Sequence, residues 1–438
     1  MQRWQSGKAF HGVPVACGRA ETARFRKWKP SWMKFHPPVA KIISSFEAAH
    51  LEAYPKKILG SNMTSRRRKL SSQKELIAHC PNVTSVKLRP VLVPLDPPLR
   101  TASGVMANAP LVLVDVETDA GVTGHAYFFT YSPTVLPAAA RLAADVGKLA
   151  EGQPLHPREL MQSIRRRFVL LGTPGLLDMA LAGIDMALWD AHARSVGLPL
   201  SRLLGGDPKP IKAYASFGMD GLQRAVTSAE QSVEAGFLAV KIKIGYPTLR
   251  EDLDVVNAVL KALGDKAELM IDYNQALSVP EALRRTRALD DFGLAWIEEP
   301  IACDDLSGHS QIRQDLRTAI QLGENSWGPK GMLAMIRQGA SDLAMPDLMK
   351  VGGVSGWLDA VAICEAHGMP ISNHFYQEAS AHLLAITPFA HYLEYFGIAD
   401  GVLAAPLKVT NGYATASNSP GSGVEWDEDA VKKYAVQV

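Results

Sequence analysis

The sequence predicts an α/β protein in which a smaller α+β domain precedes a parallel β/α barrel. From about residue 211, short apolar runs alternate with amphipathic segments, which is typical of parallel strands joined by helices. Seven polar residues of catalytic type close or follow these runs, at successive intervals of 29, 26, 26, 23, 27 and 20 residues. One βα unit is about that long. These residues are Lys243, Asp272, Glu298, Glu324, Asp347, His374 and Glu394.

The first part of the 438-residue chain differs from the rest. Residues 1–70 hold 15 Lys or Arg and three acids, a net charge of +12, so the remainder carries 2 − 12 = −10. We interpret residues 1–80 as a basic, disordered extension. The alternatives are an upstream extension of the reading frame, with Met63 as the start, and an Arg-rich targeting peptide. The acidic remainder argues against nucleic acid as the main partner.

The α+β domain is predicted over residues 83–205. Strand-like runs cover 83–95 and 109–129, with a turn at TDAG in the second run. Apolar residues spaced three and four apart predict helices within 138–150 and 175–195. The segment LLGGDPKP then marks a boundary, and the barrel is predicted over 206–415.

The predicted barrel strands contain the sequences AVKIKI, ELMIDYN, LAWIEEP, AIQLGEN, DLAMPD, MPISNH and HYLEYF. In β/α barrels the active site lies at the carboxyl ends of the strands. The polar residues that close these runs should therefore converge at one mouth of the barrel.

Two lysines interrupt the first of these apolar strands. Side chains alternate along a strand, so Lys241 and Lys243 share one face, and Ile242 and Ile244 share the other. Paired cations on an apolar strand are costly to bury. Their presence predicts acidic groups opposite them inside the barrel.

Three carboxylates supply such a partner. Asp272, Glu298 and Glu324 follow adjacent strands, and carboxylates held together repel one another unless a cation binds them. Oxygen ligands with room for water or substrate suit Mg²⁺, which we predict at one ion per subunit. The alternative is three separate surface acids, each paired with a Lys or Arg of a helix.

Asp347 and His374 follow the next two strands. A carboxylate beside an imidazole orients the ring and raises its basicity, whereas a lone histidine in ISNHF would be a satisfied core residue. A metal ion and a neighbouring lysine both lower the pKa of a lysine, which allows one lysine to act as a base. These groups predict a carboxylate substrate whose α-hydrogen is removed to give an enediolate.

Several ordered motifs resemble a known family. Within about residues 83–430, the following motifs occur in this order along the chain: APLVLVD, AGIDMA, KIGYP, DYNQ, WIEEP and GEN. On these motifs the chain resembles the mandelate racemase subgroup of the enolase superfamily. The resemblance implies a modified TIM barrel with an N-terminal α+β capping domain, which residues 416–438 complete. It also implies a homo-oligomer.

The resemblance assigns roles to individual residues. Asp272, Glu298 and Glu324 would bind Mg²⁺. Lys243 would be the base on the S face of the substrate, and His374, oriented by Asp347, the base on the R face. Further residues would contact the substrate: Lys241 at its carboxylate, a protonated Glu394 donating to that carboxylate, Asn274 at the α-hydroxyl, and Tyr131 and Ser216 in the pocket.

The function implied is a Mg²⁺-dependent racemase of an α-hydroxy acid, mandelate or a close relative, that transfers a proton between two bases. The loop PPLRTASGVMANAP is largely apolar, whereas an acid-sugar dehydratase, the second hypothesis, needs hydrogen-bonding groups for sugar hydroxyls. Bulkier residues than the family pattern, Leu99, Met106, Phe217 and Phe396, are expected to reshape the pocket. A third hypothesis is a catalytically silent, metal-binding scaffold.

The composition restricts the expected cellular compartment and the expected binding partners of the protein. The four cysteines form no CxxC pair, which favours a reduced, cytoplasmic protein without disulfides. No apolar run approaches the ~18 residues of a membrane span, so we expect no membrane partner. A small carboxylate is the expected ligand.

Overall fold

The computed structural model describes residues 80–102 and 104–437. The predicted basic extension therefore lies outside the described residues, except for Cys80, and Ser103 is not described. Within the described residues, no helix is both long enough and apolar enough to cross a membrane.

The N-terminal domain contains a three-stranded antiparallel sheet in the order β1-β2-β3. Its strands are β1 (Val83–Thr101), β2 (Gly104–Thr118) and β3 (Thr123–Phe129). The predicted turn joins β2 to β3, where the Gly121 amide donates to the Thr118 carbonyl at 3.1 Å. The segment PPLRTASGVMANAP, predicted as a loop, is instead a two-stranded ribbon. Pairing breaks after Pro94 and resumes with Leu99 opposite Met106.

Helices α1 (Leu136–Gly147) and α3 (Leu176–Ser195) cover this sheet, and α2 (Pro157–Arg166) and α4 (Leu200–Leu203) pack against α3. The long helix α3 is buried along most of its length, and it packs directly on β3 at Gly124. A Cβ at that glycine would lie 2.2 Å from the carbonyl oxygen of Ala187. The glycine therefore allows the helix backbone to approach the sheet closely.

Eight parallel strand positions form a closed barrel. Seven are strands: β4 (Ile211–Ser216), β5 (Ala239–Lys243), β6 (Glu268–Asp272), β7 (Ile297–Glu298), β8 (Ile320–Leu322), β9 (Leu343–Ala344) and β10 (Leu393–Tyr395). Ile371 supplies the remaining position through parallel bridges to Ala344 and Ala390. The ring closes because β10 pairs in parallel with β4. The predicted barrel is confirmed, although the sequence analysis missed β4 as its first strand.

The barrel helices are α5 (Leu222–Glu234), α6 (Leu249–Leu263), α7 (Val279–Leu289), α8 (Leu306–Gln314), α9 (Gly328–Arg337), α10 (Leu348–Val351), α11 (Gly353–Ala366) and α12 (Gln377–Ala385). They are followed by a 3₁₀ turn (Asp400–Val402), β11 (Val409–Thr410), β12 (Tyr413–Ala414) and α13 (Glu428–Tyr434). The chain then returns to the N-terminal sheet, where the Val436 amide donates to the Pro90 carbonyl at 3.0 Å.

A buried acid joins the N-terminal sheet to the barrel. Glu378 on α12 is 4% exposed, and its Oε2 accepts a hydrogen bond of 3.0 Å from the Tyr127 hydroxyl of β3. Its Oε1 has no hydrogen-bond partner among the described residues. Burial, reinforced by the charge of Asp400, raises the pKa of Glu378 to about 7. The carboxyl group is therefore expected to retain its proton in the fold above the pH at which it ionises in the unfolded chain.

This burial predicts a pH-dependent stability. The pKa of Glu378 is higher in the folded protein than in the unfolded chain. Its contribution to the free energy of unfolding is therefore fully present below about pH 4.5 and is lost as the pH rises through about 7. Glu378→Gln should remove that loss and stabilise the fold by about 3 kcal/mol at pH 8, with little effect at pH 4. Urea unfolding at both pH values measures the difference.

A control for this experiment is Glu365→Gln on α11, which removes the same charge from an exposed position. It should leave the free energy of unfolding nearly unchanged at both pH values. If Glu378→Gln destabilises the protein equally at pH 4 and pH 8, the buried carboxyl group is not the source of the pH dependence.

Candidate active site

The register of the strands places the predicted residues at the same level along the barrel axis. Lys243 lies opposite Asp272 in the β5–β6 ladder, and Asp272 lies opposite Glu298 in the β6–β7 ladder. Alternation along β5 points Lys241 and Lys243 into the barrel, where they are 0% and 9% exposed. These groups therefore lie together at the mouth of the barrel, as the spacing predicted.

The three candidate metal ligands form one cluster. Asp272, Glu298 and Glu324 are buried, and each offers a carboxylate oxygen within 4.8 Å of the other two. Burial raises the pKa of Glu298 to about 8; Lys241 counteracts this, and the neighbouring carboxylates add to it. Three buried hard oxygen donors at this separation fit a divalent cation such as Mg²⁺. The alternative of three separate surface acids is wrong for these residues.

Two lysines pair with carboxylates of the cluster. The Nζ of Lys241 donates to Glu298 Oε1 at 2.6 Å, and the Nζ of Lys243 donates to Asp272 Oδ2 at 2.5 Å. Burial favours the neutral amine, but Asp272 and other acids outweigh it and raise the pKa of Lys243. This shift is opposite to the lowering predicted for a basic lysine. The predicted lowering requires a cation to balance the charge of the carboxylates.

Asp347 and His374 are in direct contact. The Nδ1–H of His374 donates to Asp347 Oδ2 at 2.6 Å, because a carboxylate can only accept. Asp347 is itself fixed by the backbone amides of Met349 and Lys350, at 2.7 and 3.1 Å. The other ring nitrogen, Nε2, lies 3.3 Å from Glu324 Oε2, at the metal cluster. Burial would lower the pKa of His374, but Glu324 and the hydrogen bond to Asp347 raise it.

The contacts of Glu394 favour its ionised form. Its Oε1 lies 3.0 Å from Lys241 Nζ, and its Oε2 accepts a hydrogen bond of 3.0 Å from the Phe375 amide. Burial would raise the pKa of Glu394, but Lys241 and His374 outweigh burial and bring it to about 2. These contacts favour the carboxylate form, whereas the resemblance implies a protonated Glu394, which stays a prediction. A proton must reach this group before it can donate a hydrogen bond.

Four residues expected to contact substrate line a common cavity of about 780 Å³ with Lys243 and His374: Glu394, Asn274, Tyr131 and Ser216. Lys241, also expected to contact substrate, is fully buried and does not line this cavity. Asn274, in a left-handed conformation with φ of 43°, donates from Nδ2 to Asp272 at 2.9 Å, and its Oδ1 has no partner among the described residues. The buried hydroxyl of Tyr131 likewise has none. Ser216 lies at the end of β4 on the wall of the cavity. Unpaired buried polar atoms are unusual, and these two are suited to polar groups of a ligand.

The apolar part of the cavity wall includes Leu99, Met106 and Phe396, as expected. Phe217, also expected there, does not line the cavity. Sequence reasoning missed other lining residues: Val105, Met179, Gln275, Asn325, Trp327, Lys350 and Phe375. Three of them were detectable, since Gln275, Asn325 and Phe375 lie within two residues of predicted site residues.

Two sequence profiles match the chain. The mandelate racemase / muconate lactonizing enzyme N-terminal domain matches residues 83–205, and the enolase C-terminal domain-like profile matches residues 224–430. The chain belongs to the mandelate racemase/muconate lactonizing enzyme family of the enolase superfamily. The resemblance inferred from the motifs is therefore confirmed, as is the fold class.

Members of this family similar to the chain differ in their named activities and bound ligands. A crystal structure of an enolase from Bradyrhizobium complexed with magnesium and mandelic acid is 43% identical and has a TM-score of 0.80; the match covers 82% of this chain and 100% of that one. The 3,6-anhydro-alpha-L-galactonate cycloisomerase of Streptomyces coelicolor is 33% identical over 76% of this chain and 93% of its own. An L-talarate dehydratase structure from Polaromonas sp. JS666, complexed with Mg and L-glucarate, is 27% identical, with a TM-score of 0.76 and coverage of 82% and 98%. Family membership thus leaves several reactions open.

Proposed function

We propose that the protein is a Mg²⁺-dependent racemase of an α-hydroxy acid, mandelate or a close relative with an apolar substituent. One observation carries this proposal: Lys243 and His374 line the same cavity at opposite flanks of the carboxylate cluster. Inversion at carbon requires one base on each face of the substrate, whereas removal of a proton from one face requires only one.

The carboxylates of Asp272, Glu298 and Glu324 would hold the Mg²⁺ ion. Bound there, the ion would supply Lewis-acid stabilisation of the negative charge that develops on the substrate carboxylate. Three lines of support converge on this assignment: the separation of the oxygens, their burial, and the magnesium present in similar structures of the family.

The chain's own groups divide the proton transfer between them. Lys243 takes or returns the α-proton on one face, and His374 Nε2 does so on the other. Asp347 holds the proton on Nδ1 of His374, which keeps Nε2 directed at the site. Lys241 and, once it is protonated, Glu394 hold the substrate carboxylate; the two side chains lie 3.0 Å apart.

The apolar residues in the wall favour a substrate with a nonpolar substituent. Leu99, Val105 and Met106 come from the β1–β2 ribbon, and Met179 and Phe396 come from other elements. Burying an aryl or alkyl group against them contributes roughly 25 cal/mol per Å² of apolar surface. The mandelic acid in the Bradyrhizobium enolase supports the same class.

An acid-sugar reaction, dehydration or cycloisomerisation, is the second candidate. Relatives with these activities are 33% and 27% identical to the chain. Asn108, Gln275 and Lys350 line the cavity as well and offer hydrogen bonds for sugar hydroxyls. In dehydration, His374 would also act as the acid that assists loss of the hydroxyl group.

A substrate screen in D₂O with Mg²⁺ distinguishes these functions. We expect both enantiomers of mandelate or a related acid to take up deuterium at the α-carbon and to racemise without loss of water. NMR follows exchange, and polarimetry follows racemisation. Dehydration of an acid sugar without racemisation of any hydroxy acid would favour the second candidate, and absence of exchange throughout would favour the silent scaffold.

A further inference from the structure

Lys350 is a buried cation in the active-site cavity that the proposed reaction does not use. It lies on α10, three residues after Asp347, and is 6% exposed. Its Nζ donates to Asn325 Oδ1 at 2.6 Å and lies 4.8 Å from the ring centroid of Tyr131. In the part of the chain that the structure describes, no ion pair within 4.0 Å includes this lysine. Its closest polar contact is therefore a neutral amide.

That amide bridges two acids of the site. The Nδ2 of Asn325 donates to both oxygens of Glu299, at 2.9 and 2.8 Å, and to Glu324 Oε1 at 3.2 Å. Asparagine has one accepting end and one donating end, and a lysine ammonium can only donate. Lys350 therefore requires the Oδ1 end on its own side, which directs Nδ2 at the two carboxylates.

We propose that Lys350 is a positioning residue: it fixes the orientation of the Asn325 amide and, through it, the carboxylate of Glu324. The inference rests on the proposed function, in which Glu324 binds Mg²⁺. Tyr131 contributes by packing its ring against the ammonium, an arrangement that cation–π attraction favours. Without the lysine, the amide can turn and Glu324 loses a donor that holds it in place.

The positioning role and the charge of Lys350 predict opposite effects of its removal on the affinity for Mg²⁺. A nearby positive charge repels Mg²⁺, so removing it should tighten Mg²⁺ binding if charge is all that matters. If Lys350 acts by positioning, removing it should weaken binding. Hydrogen-bonded partners of metal ligands typically contribute 10–100-fold to metal affinity, so we expect Lys350→Met to weaken Mg²⁺ binding by about tenfold or more.

Isothermal titration with Mg²⁺ alone measures this affinity without substrate. Lys350→Arg keeps a donor and should stay close to wild type, and Lys330→Met, which removes a lysine from an exposed position on α9, should have no effect. In an Asn325→Ala background, Lys350→Met should cause no further weakening, because the amide that it orients is gone. If Lys350→Met fails to fold, Lys350→Gln serves instead, since glutamine removes the charge and its amide ends one bond nearer the backbone than the lysine Nζ.

Two results would overturn the inference. One is unchanged or tighter Mg²⁺ binding by the Lys350 variant in a wild-type background. The other is equal weakening with and without Asn325. Failure of the wild-type protein to bind Mg²⁺ is a different result: it overturns the proposed metal site itself and this inference with it.

Discussion

A His374→Asn protein should lose racemisation in both directions yet still exchange the α-proton of the S enantiomer with D₂O. Every complete turnover uses both bases, but exchange on one face needs only the base on that face. Lys243, at the Asp272 side of the carboxylate cluster, remains in place in this variant. The rate of racemisation should fall by ~10²–10⁴ or more, the scale of a missing general base. NMR measures deuterium uptake for each enantiomer separately.

The matched variant is Lys243→Arg, which should show the mirror result, with exchange surviving for the R enantiomer. Arginine keeps the positive charge beside Asp272 but cannot lose its proton near neutral pH. Equal residual exchange of both enantiomers in either variant contradicts the assignment of one base to each face. Loss of all exchange in His374→Asn instead supports a dehydratase, in which that histidine has a second role as acid.

The positions of the site residues were predictable because the barrel repeats. Each βα unit returns the chain to the same rim, so residues 20 to 29 apart in sequence converge there. The parallel register of Lys243, Asp272 and Glu298 expresses that repeat directly. Period-two alternation similarly determined which face of β5 carries the lysines.

The protonation states were not predictable from this spacing. They depend on which charged atoms meet at about 3 Å, as in the contact between Glu394 and Lys241 that lowers the pKa of this acid. Likewise, Lys350 is not one of the regularly spaced polar residues at the strand ends. Its proposed positioning role follows from one contact with Asn325. The β1–β2 ribbon was missed for another reason, because prolines and small residues obscure the strand pattern before pairing resumes at Leu99.

Removal of the metal should abolish activity. EDTA treatment is expected to stop both exchange and racemisation, and Mg²⁺ should restore them, because the substrate carboxylate otherwise faces three buried acids. Both reactions are followed by the same NMR assay. Full activity in the chelated protein contradicts the proposed metal site.

Among the three candidate ligands, Glu324 offers the cleanest substitution. Asp272 and Glu298 each neutralise a buried lysine at 2.5 and 2.6 Å, so their loss would leave an unpaired ammonium and endanger the fold. Glu324 instead lies 3.3 Å from the His374 ring and pairs with neither lysine within 4.0 Å. Glu324→Gln therefore tests metal binding with the least disturbance to packing.

Glu324→Gln should weaken Mg²⁺ binding by about a thousandfold or more, since two unit charges 4 Å apart already contribute ~4 kcal/mol at an effective dielectric constant of 20 and Mg²⁺ carries two charges. Glutamine keeps one carbonyl oxygen for the ion but brings no negative charge to it. Isothermal titration measures the affinity, with Glu365→Gln as an exposed control that removes the same charge elsewhere. High Mg²⁺ should recover activity in the variant in proportion to the metal bound. An unchanged affinity would mean that Glu324 is not a ligand and that its contact with His374 serves the base alone.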